Sequence, residues 1–442
     1  MLFILYLTRE SEIYYKIGQI IKNNYKRVQK RGYIVKTDWN ELTENETSDG
    51  TRKEETDKKQ EMHESKSLDL SEIRNQIDEV DATIVEEFEK RMRLCKDVAQ
   101  FKIDNGKNVL DKEREIQKIE KVASLAKNDF NRQSVKELFT QIMAISRKLQ
   151  YQILTENGMS AKIDFKETDD IKRENIKVVY QGVPGAYSHQ AMLNYFGNDV
   201  ENHNVATFRE AMEAVSKGVA DYAVLPIENS TAGTVNDVYD LLFEFDNYIV
   251  ATTDVIVRHA LLGTKEAELE DIEVVYSHPQ GLMQCNEFLE EHRDWQQVSQ
   301  ANTAGSAKKV MEKNNKKYAA IASTIAADIY GLKVLKENIN RNSENTTRFI
   351  IVGKEKVYKK DASKVFLLFE ISHTSGSLYN TLSHFIYNGI NMSSIESRPI
   401  KGRKWEYRFF VELDGNLKDL SVINAINGLI EETSFVKIVG NY

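Results

Sequence analysis

Three folds in series are what this chain of 442 residues predicts: an all-α segment, an α/β segment, and a small α+β unit of ferredoxin-like type. Three observations carry that expectation. Residues 67–156 contain no proline and only one glycine, Gly106, and their apolar residues recur at helical spacing. Residues 175–354 alternate short apolar runs with helical stretches, the pattern of a largely parallel α/β sheet. Residues 363–442 read strand, helix, strand, strand, helix, strand. The length alone suggests about three domains.

Composition removes several classes of function. A hydrophobic content of 41% with charged residues at 29% is that of a soluble globular protein, and the formal net charge of -8 leaves no basic field for nucleic acid or an anionic membrane. Cys95 and Cys285 stand far apart in no metal or redox spacing, as expected of reduced thiols in a cytosolic protein. The opening "MLFILYLT" lacks the flanks of a signal peptide and the length of a membrane span.

Residues 1–66 form an N-terminal extension. Ile13, Ile17, Ile20, Ile21 and Val28 fit one amphipathic helix, and residues 43–67, with Met62 as their one apolar side chain, predict a disordered linker.

In the helical segment, Ile73, Ile77, Val80, Ile84, Val85, Phe88, Met92, Val98 and Phe101 make a stripe on a first helix of ~50 Å. A three-helix unit cannot cover a helix of that length, so dimerisation through it is expected. Arg91 and Lys102 share one face of the helix, ~20° apart in rotation, while Arg74 lies ~25 Å from Arg91. Asp111, Arg114 and Glu115 open the next helix, and Ser146 and Gln150 stand at i, i+4 on the last.

This ordered set resembles the all-helical class of chorismate mutase. The resemblance implies that Arg91 and the partner subunit's Arg74 grip the substrate carboxylates, helped by Ser146 and Arg114. Lys102 and Gln150 would reach the ether oxygen, and Glu115 with Asp111 the ring hydroxyl. The chemistry suits them: a one-step pericyclic shift needs no nucleophile, only a held conformation and stabilised charge.

In the α/β segment several strand ends carry polar clusters. "YQGVPGAYSHQA" places Ser188 at a helix start after a glycine turn. "PIENST" places Glu228, Asn229 and Ser230 after a strand, "YSHPQGLMQC" does so with Ser277, His278 and Gln284, and Thr303 opens a helix in "ANTAGSAKKV". Each alone fits an N-cap; four together suggest a crevice at strand ends. With "NTTRF" they resemble prephenate dehydratase, whose two α/β lobes enclose a cleft like that of periplasmic solute-binding proteins. The catalytic threonine of that family maps to Thr347. Glu228, Asn229, Ser230, Ser277, Gln284 and Thr303 follow as binding or orienting residues. Ala186 departs from the family, which usually has a hydroxyl there. His278 before Pro279 fits a structural turn or an acid. Strand alternation puts Thr347 with Phe349 and Ile351, and Thr346 with Arg348 on the other face. Arg348 is therefore either a carboxylate contact or a brace behind the strand.

The last unit resembles the ACT regulatory domain in "SGSLYNTL", with Gly376, Ser377 and Leu378, and in "GINMSSIESRP", with Glu396, Ser397, Arg398 and Pro399. The resemblance implies L-phenylalanine binding between paired domains. The order of the three matches bifunctional chorismate mutase–prephenate dehydratases of phenylalanine synthesis, whose two reactions use no cofactor or metal. A monofunctional dehydratase with a helical dimeriser and a non-catalytic prephenate or phenylalanine sensor are the rival readings; the intact mutase set and Thr347 argue against them.

Overall fold

The computed structural model describes residues 69–159 and 163–442. The amphipathic helix expected within residues 1–36 and the linker over 43–67 lie outside the described residues.

Three helices come first: α1 (Leu70–Asn105), α2 (Lys112–Ala123) and α3 (Asp129–Glu156). Asp111 caps α2 by accepting from the Arg114 amide, and Asn128 caps α3 in the same way. The stripe on α1 is uncovered: Ile77, Val80, Ile84, Val85 and Phe101 are each more than half exposed. Within one chain, α2 and α3 pack with each other, and among the described residues this face of α1 is left exposed.

A short strand, β1 (Lys166–Thr168), leads into two α/β lobes. The first holds β2 (Lys177–Gln181), α4 (Tyr187–Phe196), β3 (Glu201–Val205), α5 (Phe208–Ser216), β4 (Tyr222–Asn229), β5 (Gly233–Thr234), α6 (Asn236–Glu244) and β6 (Tyr248–Ile256). The second holds β7 (Ala260–Gly263), β8 (Val274–Ser277), α7 (Pro279–Gln284), α8 (Asn286–Glu290), β9 (Gln296–Ser299), α9 (Thr303–Lys313), β10 (Tyr318–Ala322), α10 (Thr324–Tyr330) and β11 (Lys333–Lys336). The chain then crosses back as β12 (Thr346–Gly353), which lies between β4 and β6 of the first lobe, and β13 (Val357–Lys359) pairs with β1.

Both lobe sheets are mixed, where the sequence pattern suggests largely parallel ones. β2 runs parallel to β3 and β4, but β12 is antiparallel to both its neighbours. In the second lobe β8 is parallel to β9 and β10, whereas β7 is antiparallel to β10 and β11. The reversed strands are the ones next to the two crossovers, which period and composition do not distinguish. Those crossovers are laced together: Val257 N–H donates to the Asn345 carbonyl at 2.7 Å and Ile339 N–H to that of His259 at 3.0 Å. The turn carrying Gly185 packs on α10. Its φ of +85° and its contact with Ala326 Cα, 2.9 Å from where a Cβ would sit, both require glycine.

The C-terminal unit is β14 (Lys364–Glu370), α11 (Ser377–Tyr387), β15 (Met392–Pro399), β16 (Tyr407–Asp414), α12 (Leu420–Glu432) and β17 (Phe435–Asn441). Its strand order, β15-β16-β14-β17, is the ferredoxin-like order expected. β17 also bridges to β6, so one ten-stranded sheet runs from the first lobe into this unit. The helix α12 packs on α3.

Candidate functional site

The three helices enclose a cavity of ≈ 270 Å³. Seven of the eight residues singled out in this segment line it: Arg91, Lys102, Asp111, Arg114, Glu115, Ser146 and Gln150. Arg91 donates to Ser146 Oγ, which in turn donates to the Ile142 carbonyl at 2.7 Å. Lys102 Nζ donates to the Val109 carbonyl at 2.5 Å. Burial lowers the Lys102 pKa, partly countered by Glu431, Glu115 and Asp111. Gln150 is buried and its Oε1 has no partner. Arg74 is exposed and outside this cavity, as its distance along α1 dictates. A residue the sequence did not flag also lines the cavity. Arg147 donates to Glu115 Oε2 at 2.5 Å and is nearly enclosed. Nothing in the sequence separates it from an ordinary solvated helix arginine.

A second polar cluster forms where β12 begins. Asn229 at the end of β4 donates through Nδ2 to Thr347 Oγ1 and to Asn345 Oδ1, each at 2.8 Å. Its Oδ1 accepts from the Thr231 and Ala232 amides at 3.0 and 2.8 Å, which fixes the orientation of the side-chain amide. Thr347 therefore receives one hydrogen bond on its oxygen and keeps its own proton to give. Ser230 Oγ accepts from the Thr346 amide at 2.9 Å and locks the two segments together. Asn345, at 1% exposure, completes this network and was not singled out from the sequence.

Across the crossovers, Gln284 Oε1 lies 2.9 Å from His259 Nε2, and His259 Nδ1 lies 3.0 Å from the Tyr187 hydroxyl. Burial lowers the His259 pKa and keeps the ring neutral. Thr303 and Ser277 both approach Gly281. Ser188 is buried at the start of α4.

Four residues stand apart from these clusters. Glu228 and Arg348 face each other across β4 and β12, in register one step from Asn229 and Thr347, and so lie on the opposite side of the sheet. Arg348 pairs there with Glu412 of β16 at 3.4 Å and approaches Asp254 at 3.9 Å. Ser277 is fully enclosed and donates to the Ile321 carbonyl at 2.8 Å. His278 Nδ1 accepts from the Gln280 amide at 3.2 Å as the cap of α7.

In the C-terminal unit Gly376 caps α11 with φ 81°, Ser377 Oγ meets Thr374 Oγ1 at 2.5 Å, and Leu378 packs on the core. Glu396 accepts from Thr234 of β5 at 3.0 Å, and Arg398 forms two bonds to Asp240 of α6 at 3.0 and 2.9 Å. Ser397 and Pro399 alternate outward.

The described fold is thus a charged helical pocket followed by a two-lobed α/β unit with a hydroxyl–amide cluster at its crossover. Chorismate mutase type II matches residues 73–151 and prephenate dehydratase residues 178–357. The bifunctional chorismate mutase/prephenate dehydratase of Buchnera aphidicola subsp. Schizaphis graminum is 32% identical over 381 residues, 85% of this chain and 96% of that protein. That of Aquifex aeolicus is 30% identical, covering 85% of this chain and 98% of its own. The prephenate dehydratase of Arthrobacter aurescens, solved with L-Phe, is 29% identical with a TM-score of 0.57, covering 60% of this chain and 89% of that one. The chain belongs to the bifunctional chorismate mutase/prephenate dehydratase family, and it catalyses both conversions: chorismate to prephenate, and prephenate to phenylpyruvate. Among the described residues no helix is long and apolar enough to cross a membrane.

Proposed function

We propose that the α1–α3 cavity carries the first reaction and the Thr347–Asn229 centre the second. In the cavity Arg91, with Ser146 and Arg114, holds the substrate carboxylates, and Glu115 with Asp111 takes the ring hydroxyl. The ether C–O bond breaks as the new C–C bond forms. The Lys102 ammonium and the Gln150 amide stabilise the charge that grows on the ether oxygen. The cavity's convergence of five cationic side chains and the Gln150 amide with two carboxylates supports this. Its fourth wall is supplied by a partner subunit, whose Arg74 completes the carboxylate grip; the uncovered apolar stripe on α1 is the surface that brings it there.

In the second reaction the ring carboxylate leaves as CO2, and its bonding electron pair enters the ring. The hydroxyl opposite departs as water, taking a proton through Thr347, which regains one from solvent. The observation that carries this reading is the fixed Asn229 amide, which donates to the Thr347 oxygen and leaves the threonine hydroxyl proton free to donate. Gln284, Thr303, Ser188 and Ser230 line or support the binding side. Glu228, Arg348 and Ser277 act from behind the site as structural members.

The C-terminal unit is an ACT domain that binds L-phenylalanine near Gly376–Leu378 and Glu396–Pro399 and restrains the dehydratase. The ferredoxin-like order, its shared sheet with the first lobe and the L-Phe complex of the Arthrobacter protein support this reading. One assay tests all three parts: purified protein with chorismate, following prephenate and phenylpyruvate with and without L-phenylalanine. Lys102→Ala lowers prephenate formation by about 100-fold or more while supplied prephenate is still consumed, and Thr347→Val does the reverse. Full phenylpyruvate formation by Thr347→Val would reject the second assignment.

A further inference from the structure

The last turn of α12 carries two adjacent glutamates, Glu431 and Glu432, and no basic residue. On their own helix these carboxylates sit at the negative end of the dipole, an unfavourable place. Both are matched across the contact with the mutase helices. Glu432 Oε1 accepts from Arg147 Nε at 2.7 Å and Oε2 from Nη2 at 3.2 Å, while Arg147 Nη1 holds Glu115 at 2.5 Å. Glu431 Oε2 accepts from the Leu110 amide at 2.9 Å and the Tyr151 hydroxyl at 3.2 Å. The same loop offers the Val109 carbonyl that receives Lys102. The two groups assigned to the substrate's hydroxyl and ether oxygens, Glu115 and Lys102, thus each stand one link from a carboxylate of the C-terminal unit.

Local packing enforces this arrangement. Arg147 is 8% exposed, so without Glu432 a guanidinium would be buried with Glu115 alone. His384 of α11 lies 3.2 Å from Glu432 Oε2, the oxygen that also accepts from Arg147 Nη2. Its ring presses on Gly428, where a Cβ would overlap the imidazole.

We propose that Glu432, Arg147 and Glu431 are positioning residues of the mutase site, so that the C-terminal unit supplies part of the scaffold for the first reaction as well as serving the second. Arg147 aims Glu115 at the ring hydroxyl. Glu432 fixes the guanidinium and shares its charge, which leaves Glu115 able to accept from substrate. Glu431 sets the loop that fixes the height of Lys102. This rests on the assignment of the α1–α3 cavity as the mutase site.

The test uses the full chain, with mutase kinetics on chorismate, dehydratase kinetics on supplied prephenate, and thermal unfolding. Glu432→Gln raises the KM for chorismate about tenfold, with dehydratase activity within about twofold of the parent, the size expected of a misplaced orienting group. A paired apolar variant, Arg147→Leu with Glu432→Leu, regains thermal stability because the buried Arg147–Glu432 pair is removed as a whole and neither member is left alone, yet keeps the raised KM because Glu115 has lost its guide. An unchanged KM in Glu432→Gln, or a KM that recovers together with stability in the paired variant, overturns the proposal. Lys102→Ala separates the two levels. Mutase activity surviving in it removes the cavity assignment and this inference together. Its loss beside a parental Glu432→Gln removes the inference alone.

Discussion

Thr347 and Arg348 are neighbours in sequence with different surroundings. Thr347 shares a face with Phe349 and Ile351 above the core of α4, whereas Arg348 shares one with Ile350 and Val352 against the C-terminal sheet. The donor role of Thr347 depends on Asn229 supplying the bond to its oxygen. Asn229→Ala should therefore lower dehydratase kcat by about 10- to 1000-fold with mutase activity unchanged, measured on supplied prephenate and on chorismate separately. In the role proposed for it, Lys102 acts only as the ammonium. Burial lowers its pKa, so mutase activity is full below that pKa and is lost as pH rises through it, earlier than for an ordinary lysine. Glu431 opposes that lowering, so Glu431→Gln should move the alkaline limb of the mutase pH profile further down. Gln150→Glu should be poor at neutral pH and improve with acid, because a protonated carboxyl can pack beside the ether oxygen and a carboxylate cannot; a flat profile would contradict it.

At the scale of elements, α1 carries its apolar side chains on a face that α2 and α3 leave open. Each such side chain contributes about 1.5–3 kcal/mol when buried, so five or more on one helix give a partner helix ample driving force. Val80→Asp should convert the protein to monomers by analytical ultracentrifugation. Mutase activity should fall with it, since the partner's Arg74 is then absent, while dehydratase activity on prephenate persists. The helix, its stripe and the spacing of Arg91 and Lys102 were legible because helical period projects them onto one face. The edges were not: β3 and β9 are short and mostly exposed, β11 is short and half-buried, and their sequences lack the apolar runs that mark β4 or β12.

Across the whole molecule, the C-terminal unit touches both catalytic halves by different elements. Its strands reach the dehydratase: β17 extends the sheet of the first lobe, Arg398 holds Asp240, and Glu412 takes Arg348 directly behind Thr347. The Tyr442 hydroxyl donates to the same Glu412 at 2.7 Å. Its helix α12 reaches the mutase through Glu431 and Glu432. Arg348→Met should therefore weaken inhibition by L-phenylalanine several-fold while changing the KM for prephenate by about twofold or less, the balance expected of coupling energies of about 1–3 kcal/mol. A large rise in KM with inhibition intact would return Arg348 to the substrate.

The sequence by itself determined the order of the three folds, the six principal strands of the α/β segment, the ferredoxin-like pattern and most of the polar residues that meet. These are properties of period and of local turn chemistry, which act over a few residues. It also separated Thr347 from Arg348, because a strand alternates. Glu228, expected beside Asn229 as a site residue, is turned to the other side by the same alternation along β4. Only the tertiary structure shows the enclosure of Ser277, the entry of Asn345 and His259 into the polar networks, and the link from Glu432 through Arg147 to Glu115. Each depends on which distant surface a side chain is packed against. Glu432 and Arg147 lie 285 residues apart in the chain, and no local rule relates them.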